Sequence, residues 1–386
     1  MSHRKKILYY MAENPFWRGA GNLTRCLQML SYFEKNKEYL DVYFMTSKNW
    51  AEEDFVKFEQ LFPSITLILE PFKSSQKNRI VYFFKDKLPK LISQWFNGFK
   101  VNRVSPNFKK RFQELHRKIQ FDTIIISYAE YGELVSGLPH VRKIIDTHDF
   151  FTFQYLEHDR EKAWRCIDKV LYEEMSILKK FDEIWTYSIE EEYVFEQFTN
   201  KKVQLIPVTF DQQIPDDNRE IKYDIIYVAS DNEHNKKSIA WFTKEVLPLL
   251  NNRKVHVIGS ICDHVIEHPQ LIKYGRVDNL EEFYLHTKTS ICPMLSGTGI
   301  KIKVLESLSY GIPVVTNRRG VDGLVNKIDN GCLITQNPKD FANFILQLLT
   351  DESFYKQITN QGINFFSLYH HPKFEKRILD STLLSD

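Results

Sequence analysis

Short apolar segments of strand length alternate with longer amphipathic segments along this chain of 386 residues, and the alternation occurs twice. Such a pattern predicts parallel sheets whose strands are joined by crossover helices. A polar segment with two prolines, residues 206–223, separates the two series. Because this length suits two domains of about 150–200 residues each, the pattern predicts an α/β protein. We expect two doubly wound, Rossmann-like domains facing each other across a cleft.

The predicted elements divide the chain into a first domain (1–206), a second domain (207–366) and a C-terminal helix (367–386) that packs back towards the first. Predicted strands of the first domain cover residues 6–11, 41–46, 66–70, 123–127, 143–146 and 183–187. Those of the second cover residues 223–229, 254–258, 289–293, 313–316 and 331–334. Amphipathic segments such as residues 164–181, 238–250 and 301–310 predict helices. Ligands of such sheets bind at the carboxyl ends of the strands.

The composition excludes several classes of protein. Lys and Arg nearly balance Asp and Glu, at 52 to 50, so the overall charge does not favour nucleic-acid binding. The five cysteines are scattered without C-x-x-C spacing, which fits a reducing cytoplasm and no zinc site. No apolar run approaches the roughly 20 residues of a membrane-spanning helix. We therefore expect a cytoplasmic protein, at most at the inner face of the membrane, with no metal and no cofactor.

Residues 290–316 predict a strand, a glycine-containing loop and a helix. Gly297 and Gly299 lie in the loop, and glycines before a helix let backbone N–H groups approach a phosphate. The ammonium of Lys301 or Lys303 would add a positive charge at the same place. The segment therefore suits a diphosphate.

Glu306 lies about one and a half turns into the predicted helix. At that distance its carboxylate can accept hydrogen bonds from a pair of ribose hydroxyls. The alternative is an ordinary strand–loop–helix turn with Glu306 on a solvated face, and the spacing alone does not decide between the two.

This segment resembles the donor-site signature of GT-B glycosyltransferases of family 4, the "glycosyl transferases group 1" superfamily. The resemblance covers nearly all of residues 221–350 as several blocks in family order. Those blocks are DIIYVAS at 224–230, Asn235, WFTKEVLPLL at 241–250, VHVIGS at 255–260, YGRVDNLEEFY at 274–284 and NRRGVDGL at 317–324. The family implies the GT-B fold and metal-independent transfer of a sugar from a nucleotide-diphosphate sugar, with retention at the anomeric carbon.

The resemblance also implies roles for individual residues. Glu306 corresponds to the second of two family glutamates and is implied to bind ribose. The first would fall at Thr298, which is not an acid, so backbone N–H groups of Gly299 and Ile300 are expected to take over part of its contact with the sugar. The remaining donor contacts are expected at Ser230, Ser260 and Arg276. Selection of the donor base is expected to depend on the loops around Ser260 and Arg276. The donor nucleotide stays open among UDP, GDP and dTDP.

The first domain resembles the family more loosely. Gly19 and Gly21 follow the first strand, as in the loop that closes on donor and acceptor, although a tight turn before a helix would look the same. His148 follows a strand where family members often carry a histidine that touches the donor sugar, whereas a lone histidine is more often structural. Asp149 would orient the acceptor hydroxyl or His148, or else cap the following helix. We expect His148, Asp149 and Lys301 to serve catalysis.

Residues 79–118 combine aromatic residues with many Lys and Arg. This mixture suits contact with an anionic membrane surface. It suits equally a helical insertion that packs its aromatic residues and leaves its charges in water. A peripheral membrane contact would fit a lipid-linked or glycan acceptor in polysaccharide biosynthesis.

The sequence therefore predicts a glycosyltransferase that acts on a glycan, glycolipid or glycoprotein, with the acceptor in the first domain and the nucleotide sugar in the second. Two alternatives stay open. One is a nucleotide-sugar 2-epimerase, and the other is a non-catalytic glycosyltransferase-like subunit of a transferase complex, which the threonine at position 298 would favour.

Overall fold

The computed structural model of the protein describes residues 4–17, 21–47, 49–71, 83–89, 91–92, 101–158, 166–214, 216 and 219–385. The chain forms two compact units. The first comprises Met1–Thr186, Glu191–Ile206 and Ser381–Asp386, and the second comprises Tyr187–Glu190 and Pro207–Asp380. Of the predicted returning segment, residues 367–386, only Ser381–Asp386 falls in the first unit.

The first unit contains a sheet of seven parallel strands in the order β3-β2-β1-β4-β5-β6-β7. The order reverses between β1 and β4, which creates a crevice at the carboxyl ends of those strands. The strands are β1 (Lys5–Tyr10), β2 (Leu40–Thr46), β3 (Thr66–Leu69), β4 (Thr123–Ser127), β5 (Arg142–Asp146), β6 (Glu183–Thr186) and β7 (Lys202–Leu205). The helices are α1 (Gly21–Lys35), α2 (Glu52–Leu61), α3 (Pro106–Ile119), α4 (Phe151–His158), α5 (Ile167–Leu178) and α6 (Ile189–Thr199).

The second unit contains six parallel strands in the order β10-β9-β8-β11-β12-β13, with its own reversal between β8 and β11. The strands are β8 (Tyr223–Val228), β9 (Val255–Ile258), β10 (Leu271–Gly275), β11 (Thr287–Cys292), β12 (Val314–Thr316) and β13 (Cys332–Ile334). The helices are α7 (Glu233–Trp241), α8 (Glu281–Leu285), α9 (Ile302–Ser309), α10 (Pro338–Thr350), α11 (Glu352–Tyr369) and α12 (Pro372–Leu379).

The central strands are buried on both faces. All five residues of β4 are buried, as are the last four of β1. Parallel strands covered by helices on both sides have this burial pattern, because no face is left to water. The two parallel sheets confirm the predicted α/β class with two Rossmann-like units.

Two edge strands, β7 and β10, were not predicted. Each has a single buried residue, Val203 in the first and Leu271 in the second. Strands at the edge of a sheet contact fewer neighbours, so their sequences lack the continuous apolar run that marks a central strand.

One predicted helix differs at both ends. The segment 238–250 was expected as a single helix, but α7 begins at Glu233 and ends at Trp241. The side chain of Asn232 caps it by accepting a hydrogen bond from the backbone N–H of Asn235, at 2.9 Å. Phe242–Val246 then forms a wider π turn, and Leu247–Leu249 forms a tighter 3₁₀ turn in which Pro248 cannot donate an α-helical hydrogen bond. The earlier start places Asn235 in the first turn of α7.

Candidate functional site

The loop between β11 and α9 contains two residues in the left-handed conformation. Gly297 has a φ of 98° and Gly299 a φ of 72°, a region that other residues adopt only with strain. A Cβ on Gly297 would also lie 3.3 Å from the ring of His234. The loop therefore needs glycine at position 297 both for its backbone and for its close approach to α7.

Lys301 holds this loop together from inside. Its side chain is buried, and its ammonium donates to the backbone oxygens of Gly297 at 3.2 Å, Thr298 at 3.1 Å and Gly299 at 2.7 Å. An ammonium has three donors, and these three carbonyls match them. The sequence predicted that Lys301 or Lys303 adds a positive charge at a diphosphate. The ammonium of Lys301 lies on the carbonyls of its own loop, where it positions the backbone.

Lys303 joins the loop to the neighbouring strand. Its Nζ donates to Oδ1 of Asn235 at 2.7 Å and lies 5.1 Å from the centre of the Tyr227 ring. The amide nitrogen of Asn235 donates to the backbone oxygen of Ser230 at 2.9 Å. Burial lowers the pKa of Lys303. The end of β8 and the start of α9 are therefore linked through one amide side chain.

Glu306 lies on α9 and is half-buried. Its Oε2 accepts a hydrogen bond from the hydroxyl of Tyr284 at 3.2 Å, and the Tyr284 ring stacks on Tyr310 with centroids 5.1 Å apart. Burial raises the pKa of Glu306, while the hydrogen bond from Tyr284 and the charge of Lys303 oppose that shift. The carboxylate is thus fixed in direction by a tyrosine that sequence reasoning did not single out.

Three further predicted donor residues follow neighbouring strands of the same sheet. Ser230 follows β8, Ser260 follows β9 and Arg276 follows β10. The hydroxyl of Ser260 accepts from the backbone N–H of Asp231 at 2.8 Å, which ties the first two strand ends together. Arg276 is exposed. Because carboxyl ends of parallel strands share an edge, these residues lie at the same edge as the loop that follows β11.

The segment after β12 packs against the loop between β11 and α9. Gly323 has a φ of 87°, and a Cβ there would lie 3.1 Å from Cβ of Ile300. The Gly323 N–H donates to Oε2 of Glu190 at 3.0 Å, and the other oxygen of Glu190 lies 2.5 Å from Nζ of Lys327. Glu190 belongs to the second unit, as Gly323 does. The sequence does not reveal this contact, because a partner 133 positions away leaves no local pattern.

His148 follows β5 in the first unit and has an unusual backbone. Its φ is +59°, and Tyr128, which follows the neighbouring β4, has a φ of +71°. Their rings stack with centroids 4.5 Å apart. Non-glycine residues adopt such conformations at a cost of about 1–3 kcal/mol, and they concentrate at functional sites. Tyr128 was not predicted, yet it shares the edge of the sheet at which ligands bind.

Charged side chains lie beside His148. Its Nε2 lies 3.8 Å from Oδ2 of the fully buried Asp146, and that oxygen lies 3.9 Å from Nε of Arg25 on α1. Burial lowers the pKa of His148, and the Asp146 carboxylate opposes the shift. The imidazole is therefore neutral near pH 7, where it can both donate and accept a hydrogen bond. Asp149 follows directly, and its N–H donates to the backbone oxygen of Thr147 at 2.7 Å.

The remaining predicted site residues are the two glycines after β1. Gly19 lies outside the described residues, and Gly21 is the first residue of α1. In the parts of the chain that the structure describes, no group of three or more His, Cys, Asp or Glu side chains is arranged to hold a metal ion. Those parts also contain no helix with the length and apolar character needed to cross a membrane.

Comparisons with known proteins agree with this geometry. Residues 222–351 match the family model for glycosyl transferases group 1. A sucrose-phosphate synthase from Thermosynechococcus elongatus superposes with a TM-score of 0.71 at 14% identity, over 98% of both chains. HepE from Anabaena, solved with UDP and glucose, gives 0.68 at 13% identity over 100% of both chains. TarM gives 0.67 at 13% identity, over 100% of this chain and 99% of its own.

Comparison with curated proteins gives no match. At these identities the solved structures establish the fold alone, whereas the family model rests on the sequence of the second unit. Both agree with the resemblance seen in the sequence. The chain has the GT-B fold, and its residues 222–351 match the model of the glycosyl transferases group 1 family.

Proposed function

We propose that this protein transfers a sugar from a nucleoside-diphosphate sugar to a glycan, glycolipid or glycoprotein acceptor. The observation that carries the proposal is the loop between β11 and α9, which lies within the matched family domain and at the reversal of strand order. HepE has been solved with UDP-glucose, and a TarM variant with UDP and α-GlcNAc-glycerol. Those ligands of similar folds support a nucleoside-diphosphate sugar as the donor here.

The second unit would bind the nucleotide. Glu306 accepts hydrogen bonds from the ribose hydroxyls, since Tyr284 already orients its carboxylate. The backbone N–H groups of Gly299 and Ile300 and the charge of Lys303 would stabilise the diphosphate as it leaves, because preorganised donors act most strongly where negative charge develops. Lys301 fixes the loop that presents those N–H groups. This arrangement would let the reaction proceed without a metal or another cofactor.

The first unit would contribute His148 and Asp149. A neutral imidazole can accept a hydrogen bond from a sugar hydroxyl and is held by the stacked Tyr128. Asp149 would orient the acceptor hydroxyl. Attack on the face from which the phosphate departs would retain the anomeric configuration, with the leaving phosphate accepting the acceptor's proton.

A peripheral contact with the cytoplasmic face of an anionic membrane is part of the proposal. Of the predicted segment, residues 79–82, 90 and 93–100 lie outside the described part of the chain. Within the described part, α3 has basic residues in its last turn, and Lys110 exposes 72% of its side chain. Basic residues near an anionic surface contribute about 1 kcal/mol each. Both lysines have acidic partners, Glu133 for Lys109 at 3.7 Å and Glu114 for Lys110 at 4.0 Å, which reduce their contributions.

Thermal unfolding with a panel of sugar nucleotides tests the proposal. We expect one of UDP-glucose, UDP-N-acetylglucosamine, GDP-mannose or dTDP-glucose to raise the unfolding midpoint, because a ligand of the folded state stabilises it. CMP-N-acetylneuraminate, which has one phosphate, should have no effect. The stabilising donor should then release its nucleoside diphosphate as the enzyme transfers the sugar to the hydroxyl of an added acceptor or, more slowly, to water. Epimerisation of that donor in the absence of any acceptor, or no stabilisation by any of the four, would contradict the proposal.

A further inference from the structure

Helix α4 begins two residues after Asp149, and its first N–H groups are bonded in an unusual way. The first N–H groups of a helix have no partner within the helix and are commonly capped by a nearby Ser, Thr, Asp or Asn. At α4 three consecutive N–H groups, those of Phe150, Phe151 and Thr152, instead donate to the carboxylates of two glutamates from other helices.

The two glutamates share these donors between them. Oε1 of Glu191, on α6, accepts from the N–H of Phe150 at 3.2 Å. Glu174, on α5, accepts from the N–H of Phe151 at 2.9 Å and from the N–H of Thr152 at 2.8 Å, and also from the Thr152 hydroxyl. The second oxygen of Glu191 accepts from the hydroxyl of Thr186 at 2.8 Å. Two helices are thereby joined to one short segment of chain.

Both carboxyl groups are buried, with 0% exposure at Glu174 and 4% at Glu191. Burying an acid costs free energy unless it is well bonded. Burial raises the pKa of Glu174 to about 7 and that of Glu191 to about 8, against the effect of their hydrogen bonds. Among the described residues, the charged groups that raise the pKa values of the pair include Asp149 and, for Glu191, Glu174. Stability alone would favour a single polar cap over two buried acids.

We propose that Glu174 and Glu191 are positioning residues for the transfer reaction, which fix the chain immediately after Asp149 and thereby hold His148 and Asp149 in their working positions. The inference rests on the proposed function, because it gives the pair a purpose only if His148 and Asp149 act on substrate. His148 is held in a strained conformation, and strain persists only where the surroundings enforce it. The bonds from the two glutamates begin two residues further along the chain.

Substitution by Gln should affect the two glutamates differently, because they accept different numbers of hydrogen bonds. In Glu191→Gln the amide oxygen can still accept from the Phe150 N–H, and the amide nitrogen can donate to the Thr186 hydroxyl, which also accepts. Glu174 receives three donors on its two oxygens. In Glu174→Gln an amide nitrogen would therefore face a donor. Gln should preserve the positioning at 191 and disturb it at 174.

Turnover of the stabilising donor, followed as nucleoside-diphosphate release across pH, tests the proposal. We expect Glu191→Ala to lower kcat roughly tenfold or more, since small misplacements of reacting groups are costly. Glu191→Gln should stay within about twofold of wild type near pH 7 and should lack the loss of kcat above about pH 8, which we expect when both glutamates of the wild type ionise and repel each other. Glu196→Gln, at an exposed position of α6, is the control.

Amide hydrogen exchange tests directly whether Glu191 holds the start of α4. Glu191→Ala should increase exchange at the amides of Phe150, Phe151 and Thr152. A wild-type kcat in Glu191→Ala, or an unaltered pH profile in Glu191→Gln, would overturn the positioning role while the transferase function stood. No turnover of any donor by the wild-type protein would instead contradict the proposed function itself. If Glu191→Ala does not fold, the pH profile of Glu191→Gln still decides.

Discussion

Two loops of the molecule differ in how far along the chain their supporting residues lie. One is the loop between β11 and α9, and the other is the loop that carries His148. In the first, Lys301 bonds to carbonyls two to four positions away, so a few consecutive residues define the structure. In the second, the supports of His148 and its neighbours come from residues twenty or more positions away, such as Tyr128, Glu174 and Glu191. The loop between β11 and α9 is thus held mainly by its own residues, whereas the loop that carries His148 depends on residues from several elements of the first unit.

Lys301→Met gives the largest expected effect. The loop carbonyls would lose their shared donor inside the protein, which costs about 1–3 kcal/mol for each buried group left unpaired. We expect both nucleotide affinity and turnover to fall, with kcat/KM lower by roughly a hundredfold, as measured by donor turnover. Lys301→Arg, which keeps the charge and several donors, should retain much of both. Unchanged nucleotide affinity in the Met variant would show that the loop does not depend on this residue.

His148→Asn tests the other loop. Asn adopts positive φ more readily than most residues, so the backbone should be kept while the imidazole is removed. We expect kcat to fall by roughly tenfold to a hundredfold, with unchanged affinity for the nucleoside diphosphate and a lower unfolding temperature, because the buried stack on Tyr128 is lost. A variant as active as wild type would remove His148 from the mechanism.

Gly323→Ala should have a smaller effect, on the loop between β11 and α9. The new Cβ would approach Cβ of Ile300 to 3.1 Å while the backbone stays at positive φ. We expect a several-fold loss of nucleotide affinity by calorimetry, since Ile300 must move. Gly137→Ala has a similar positive φ and nothing closer than 4.0 Å, so it should lower stability without changing affinity. Equal losses of nucleotide affinity in both variants would mean that backbone strain, and not the contact with Ile300, causes the loss.

The pH dependence of stability gives the smallest expected effect. The pKa values of Glu174 and Glu191 are raised by burial to about 7 and about 8, so the folded protein binds these protons more tightly than the unfolded chain. The stability they contribute is present below the ordinary glutamate pKa and is lost as pH rises towards 8. Between about pH 6 and pH 8.5, Glu191→Gln should lose less thermal stability than wild type. Parallel curves would contradict the raised pKa of Glu191.

The sequence predicted what depends on local pattern. The α/β class follows from the alternation of segments, and the loop before α9 follows from Gly297 and Gly299. That this loop, its lysines and Glu306 bind a donor stays a prediction. The direction of the Lys301 side chain was not predicted, because spacing does not tell whether an ammonium points out of a loop or into it. The parts played by Arg25, Tyr128 and Glu191 depend on which strands become neighbours, and no pattern within one segment encodes that.

Calorimetric titration with nucleoside diphosphates tests the central claim most directly, with wild-type protein and Glu306→Ala compared side by side. We expect UDP, GDP or dTDP to bind the wild type and to bind Glu306→Ala roughly tenfold more weakly, because hydrogen bonds to a charged group contribute about 1.5–3 kcal/mol. Glu282→Ala, at an exposed position on α8, should bind as the wild type does. If none of the three nucleotides binds the wild-type protein, or if Glu306→Ala binds with undiminished affinity, the donor site is not where this account places it.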